Sequence, residues 1–140
     1  MRFETWTRAE ANARLPEVVR HELHAWCGPL TDSERENQLL TVALSSIDGA
    51  VMGFQLYQPT ADPRQLTRSK RGRKATGLWS RFTWIAPKFR GVGLAERLWR
   101  QTLSNMQPTY VEVQACSAAG SALVRKLKEA NPNLEWETNV

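Results

Sequence analysis

Arg90, Gly91, Gly93 and Ala95 are the residues of this 140-residue chain whose types and spacing best suit them to chemistry. They fall in Pro87-Lys88-Phe89-Arg90-Gly91-Val92-Gly93-Leu94-Ala95, after an apolar, aromatic run at 78–86 and before a segment with helical spacing. A strand that turns through glycines into a helix start leaves backbone N–H groups without helical partners, and the helix dipole adds positive potential there. Glycine also lets the backbone approach a diphosphate with no Cβ in the way. The plainer alternative is a strand–helix turn whose glycines serve packing alone.

The elements that must position this loop are legible from periodicity. Residues 2–5 read as a short first strand, and Thr7-x-x-Glu10 as a capping box opening a helical turn. Pro16 suits the first turn of a second helix, in which Leu15, Val19, Leu23 and Trp26 share a face and Gly28-Pro29 supplies the stop. Residues 32–37 predict another short helix. Residues 39–47 alternate, with Leu40, Val42 and Leu44 on one side, and Asp48-Gly49 predicts a two-residue hairpin into a strand at 50–57. A strand at 77–86 leads to the glycine loop. Leu94, Leu98, Thr102 and Met106 then define a helix over 93–106, ended before Pro108. A strand at 109–115, a helix at 117–130 broken by Asn131-Pro132-Asn133, and a strand at 134–138 complete the order. Strands and helices in that order predict one α/β domain over 1–140, a mixed sheet covered by helices.

Composition narrows the class. The chain is 41% hydrophobic, enough for a proper core, and no apolar run is long enough to span a bilayer. Met1-Arg2-Phe3-Glu4-Thr5-Trp6 does not read as a secretory leader. Cys27 and Cys116 make neither a disulfide framework nor a metal spacing, so a soluble protein of a reducing cytoplasm is the simplest expectation, without membrane partners. The net charge of +5 resides in one segment. Arg64, Arg68, Lys70, Arg71, Arg73 and Lys74 stand against Asp62 alone within 59–76, a basic loop between the third and fourth strands, and the rest of the chain is neutral. Six cations suit phosphates or acidic surfaces, whereas the bland reading is a loop kept solvated by charge. No aromatic side chain lies among them for base stacking.

Arg90-x-x-Gly93-x-Ala95, with a proline two residues beyond Ile85, resembles the pyrophosphate loop of the GCN5-related N-acetyltransferases. The Asp48-Gly49-x-x-x-Gly53 hairpin is similar to that superfamily's second and third strands, and the order of elements matches from residue 2 to about 138. The resemblance implies an acyl-CoA N-acyltransferase fold. Its mixed, mostly antiparallel central sheet would have splayed central strands and helices on both faces. The implied activity is direct transfer of an acetyl group from acetyl-CoA to an amine. It implies cofactor binding by Arg90, Gly91, Val92, Gly93, Leu94 and Ala95 on the diphosphate. It also implies pantetheine contacts by the backbone of Trp84, Ile85 and Ala86, with Ser117 opposite.

The chain departs from that pattern where protons move. Ser117-x-x-Gly120-x-x-Leu123-Val124-x-Lys126 places Val124 where many relatives carry a tyrosine general acid, and the strand before the loop has no carboxylate. Glu112 and Tyr110, on the next strand, are the remaining catalytic candidates, each with an ordinary structural alternative. His21 and His24 could contact an acceptor but lack a third ligand for a metal. Cys116 reads as a small buried apolar residue. Two readings result: an N-acetyltransferase, whose acceptor amine could be RNA-linked or acidic, or a degenerate module of this fold using the basic loop to bind nucleic acid or an acidic partner. The oligomeric state is left open, a homodimer among the options.

Overall fold

The computed structural model describes residues 1–27, 37–60 and 76–140, and the side chains within them except at 26 and 27. The expected helix at 32–37 and the cationic part of the 59–76 loop lie outside the described residues, apart from the ends of those ranges.

Six strands form one sheet in sequence order. They are β1 (Arg2–Thr7), β2 (Leu39–Leu44), β3 (Val51–Thr60), β4 (Gly77–Ile85), β5 (Tyr110–Val113) and β6 (Glu135–Thr138). β1 to β4 run antiparallel to their neighbours, while β4–β5 and β5–β6 are parallel. Parallel neighbours need a crossover, and two helices provide it: α3 (Leu94–Met106) between β4 and β5, α4 (Ala118–Ala130) between β5 and β6. On the other side lie α1 (Arg8–Arg14) and α2 (Glu17–Cys27).

β2 is buried along nearly its whole length because helices cover both faces. Leu40, Val42 and Leu44 pack with Phe54, Leu56, Ala11, Val19 and Leu23, whereas the alternate residue Ala43 joins Leu94 and Leu98 of α3. The hydroxyl of Thr102 on α3 donates to the Leu98 carbonyl and meets Thr41 of β2 at 2.6 Å, both residues fully buried. A third group, Trp99, Leu103, Val111, Val113, Val124 and Leu127, joins α3 and α4 over β5. Phe54 lies 5.8 Å from Trp84 and 5.9 Å from Phe82, and such ring pairs add about 0.5–1.5 kcal/mol beyond area burial.

The local signals act largely as read. Thr7 and Glu10 form the reciprocal capping box, and Ser117 caps α4 by accepting from the Gly120 N–H at 3.0 Å. Pro16 stands just before α2, where its carbonyl accepts from Arg20. The hairpin differs from the expected two-residue turn. Ser45 N–H bonds Ala50 and Gly49 N–H bonds Ser45, so the loop holds four residues, with Gly49 at φ 71° closing it. Among the described residues no helix is long and apolar enough to cross a membrane.

Candidate active site

The site begins as a fault in strand pairing. β4 pairs with β5 only from Gly77 opposite Tyr110 to Ser80 opposite Val113. β4 then continues to Ile85 along β3, while β5 stops at Val113. At the same point β4 carries a bulge: Leu56 faces Phe82 and Tyr57 faces Ser80, leaving Arg81 without a partner on β3. A bulge bends its strand and sharpens the twist, so β4 swings away from β5 just past Ser80. The gap is a cleft of about 630 Å³. Ser80, Val113, Trp99 and Val124 contribute to its lining near the fork; Arg90, Ala95 and Ser117 contribute at the loop end.

One wall of this cleft offers free backbone. Ala86 N–H bonds the Met52 carbonyl of β3 at 2.9 Å, and strand alternation directs Trp84 the same way. The backbone groups of Thr83 and Ile85 therefore face the gap. Of the three residues the resemblance placed against a pantetheine, Ile85 presents its amide there, whereas those of Trp84 and Ala86 are turned to β3. Trp84 is nonetheless among the residues that line the cleft. β3 and β4 approach closely at Gly53, where a Cβ would lie 2.8 Å from the Trp84 carbonyl oxygen.

At the outer end, a 3₁₀ turn (Pro87–Phe89) leads into Arg90 and the glycines. Gly91 and Gly93 both adopt left-handed φ, 79° and 80°, and Gly93 caps α3 with no side-chain hydrogen bond. Two left-handed glycines followed by the open first turn of a 13-residue helix supply a run of N–H donors without intrahelical partners. Arg90 Nε donates to the Ile85 carbonyl at 2.9 Å, tying loop to strand. Val92 at the tip of the loop is 71% exposed, while Leu94 anchors the helix start in the core. Glu96 brings a carboxylate into the first turn. Its charge is matched by Lys126 at 2.9 Å and Arg100 at 2.7 Å, and the Lys126 hydrogen bond leads in holding its pKa below the usual value.

Glu112 and Tyr110 do not reach the cleft. Both lie before the fork, where β5 is paired on each side: Tyr110 between Gly77 and Glu135, Glu112 between Trp79 and Glu137. Alternation turns them to the face opposite Val111 and Val113. Val124 lines the cleft yet is also core, 3% exposed. Cys116 is exposed at the cleft rim, not buried as its type suggested. Ser117 is near by, with its Oγ engaged in capping. His21 is exposed on α2, and the described residues contain no cluster of metal ligands.

Sequence reasoning missed Glu22. It is the sole carboxylate among the described residues lining the cleft, and it comes from α2 across the gap from β4. It follows Val19 and precedes Leu23, so helical spacing puts it on the border of the buried face. Nothing in the spacing says which border faces the fork. Arg81 lies on the same wall, its guanidinium 4.0 Å above the Trp79 ring.

No family model and no curated protein matches the sequence. Solved structures do match. The chain is similar to a probable acetyltransferase (17% identity, TM-score 0.59), over 93% of this chain and 87% of that one. It is similar to the ribosomal-protein-alanine N-acetyltransferase from Brucella melitensis biovar Abortus 2308 (15% identity, TM-score 0.55, 93% and 90% covered). It also matches glucosamine-6-phosphate N-acetyltransferase from Arabidopsis thaliana (13% identity, TM-score 0.52, 90% of each chain). The chain has the GCN5-related N-acetyltransferase fold. In this acetyltransferase fold the diverging strands are β4 and β5, and the glycine loop stands at the start of α3.

Proposed function

We propose that this chain is an acetyl-CoA-dependent N-acetyltransferase of the GCN5-related superfamily. The observation that carries the reading is the continuity of the cleft. It runs from the fork at Ser80 along the backbone of Thr83 and the Ile85 N–H to Arg90 and Ala95, which flank the glycines of the loop. A ligand with an anionic head and an amide-bearing arm is complementary to that sequence of groups. The N–H donors of the loop and α3 hold the diphosphate. Thr83 and Ile85 pair with the arm as a strand would. The thioester then lies near the fork, where the bulged backbone at Arg81 and Phe82 is freed from the β5 ladder.

An amine entering from the α2 side meets Glu22, whose carboxylate attracts its ammonium form. Holding amine and thioester together supplies proximity. The ammonium first gives one proton up to solvent; the neutral amine nitrogen then bonds the carbonyl carbon, the carbon–sulfur bond breaks with its electron pair on sulfur, and a second nitrogen proton ends on the thiol. Glu22 takes the first of these protons on its way to solvent, by itself or through water. The acceptor could be acidic or RNA-linked, in keeping with the cations of 59–76, and the cytoplasm is the expected compartment.

Calorimetric titration with acetyl-CoA tests the reading, with adenosine diphosphate as control. Micromolar binding, about −8 kcal/mol, supports it. Folded, CoA-free protein that ignores millimolar acetyl-CoA would favour the alternative, a binding module of this fold, for which Val124 in the core and the carboxylate-free β4 speak.

A further inference from the structure

Behind the fork lies a buried polar pair, Gln55 and Ser80. Gln55 of β3 is fully buried, and its Nε2 donates to Ser80 Oγ at 3.1 Å. Its Oε1 is buried with no hydrogen-bond partner among the described residues. A buried amide half satisfied costs stability. Leucine or methionine would fill the same space without that cost. Ser80 itself is buried, 8% exposed, and lines the cleft where β4 leaves β5. Its oxygen accepts from Gln55, and among the described residues Ser80 makes no side-chain hydrogen bond as donor.

The surroundings are apolar. Val113, Trp99 and Val124 line the cleft around Ser80, and the other polar lining groups are engaged elsewhere or more open to solvent. Ser117 Oγ caps α4, while Gln114 and Cys116 are exposed. Only Thr83, half-buried three residues along β4, offers a second hydroxyl on this wall. From Ile85, beside the anion loop, back to Ser80 is five residues of strand, about 17 Å at the usual rise. A thioester whose diphosphate is held at Gly91–Ala95 therefore directs its sulfur end toward Ser80.

We infer that the Ser80 hydroxyl, aimed by the buried Gln55 amide, is a catalytic hydrogen-bond donor to the sulfur of the bound thioester. This rests on the acyl-CoA reading above. Ser80 gives up no proton. As the carbon–sulfur bond breaks, the electron pair goes to sulfur and the Ser80 O–H···S contact strengthens with the growing charge. The proton that completes the thiol comes from the attacking amine. In so apolar a pocket one oriented donor is worth more than in water. Gln55 is a positioning residue, fixing the hydroxyl's direction.

The test needs no acceptor. CoA, the free thiol, is bound to the full chain and its thiolate followed by far-ultraviolet difference absorbance against pH. Binding itself is checked by calorimetry. The bound thiol titrates about one unit higher in Ser80→Ala than in the wild type, a tenfold change in the thiol–thiolate ratio. Ser80→Thr, which keeps a hydroxyl, restores most of the difference. Gln55→Met, which keeps Ser80 and removes its anchor, gives a smaller upward shift and serves if Ser80→Ala fails to fold. Bound CoA that titrates alike in the wild type, Ser80→Ala and Gln55→Met would overturn the assignment. Wild-type protein that binds no CoA removes the acyl-CoA reading and this one together, whereas binding without a shift removes this one alone.

Discussion

Gly93→Asp separates two accounts of the glycine loop, because its effects on folding and on binding differ in size. Gly93 has φ 80° and ψ 14°, and a Cβ there would meet nothing within 4 Å. The substitution is therefore sterically free but conformationally strained, at roughly 1–2 kcal/mol for a left-handed L residue. A carboxylate at a helix N-terminus returns about 0.3–1 kcal/mol, so net destabilisation stays near 1 kcal/mol. Binding suffers more. The new charge lies in the array that would hold a diphosphate, where each pair of like charges about 4 Å apart costs from about 1 kcal/mol in bulk water to about 4 near a protein surface. A loss of about 2–4 kcal/mol is a drop in acetyl-CoA affinity of roughly 30- to 1,000-fold. Gly93→Ala carries the strain without the charge and is expected to bind within about fivefold of the wild type if the folded loop keeps its shape. Calorimetry on both variants, with urea unfolding alongside, reads the two effects separately. Equal losses in the alanine and aspartate variants would refute the electrostatic reasoning, and wild-type affinity in Gly93→Asp would refute the loop's role altogether.

Three further substitutions probe the frame. Gly53→Ala would place a Cβ 2.8 Å from the Trp84 carbonyl oxygen and 2.9 Å from Ile85 Cδ1, so it costs about 1–3 kcal/mol by overpacking. An unchanged urea midpoint would show that β3 and β4 do not need the close approach. Thr102→Val removes the 2.6 Å partner of Thr41 inside the core and costs about 1–2 kcal/mol, measured by the same unfolding; a stabilised variant would contradict it. Glu96, whose folded pKa is lowered from 4.5, contributes stability above that value and loses it as pH falls through the lowered one. The thermal-midpoint gap between wild type and Glu96→Gln therefore narrows as pH drops from neutrality to well below 4.5, and a constant gap would refute the linkage.

Much of the frame was legible because it is written in local chemistry. The capping box at Thr7 and Glu10, the Ser117 cap and the alternation of Leu40, Val42 and Leu44 each depend on residues a few positions apart. The loop was legible for the same reason: two glycines with left-handed φ at the start of a helix are a local requirement. The hairpin loop escaped because Ser45 bonds both Gly49 and Ala50, a choice that Asp48-Gly49 alone does not specify.

What escaped more fully depends on register between distant strands. Arg81 is the extra residue of the bulge only because Leu56 meets Phe82 while Tyr57 meets Ser80, and no property of Arg81 announces that. The bulge has two consequences. It bends β4 where β5 ends, which opens the cleft, and it puts Ser80 on the same face as Gln55, so that a serine on an otherwise apolar strand is held by a buried amide. Read as a strand, 77–86 shows alternating large residues and no carboxylate, and its chemistry seems absent. Folded, the same residues expose two backbone amides, one oriented hydroxyl and the floor of a cleft faced by Glu22 from another helix. The missing tyrosine and glutamate therefore do not leave the cleft without polar groups. They move the question from which side chains a motif supplies to which groups the fork brings together.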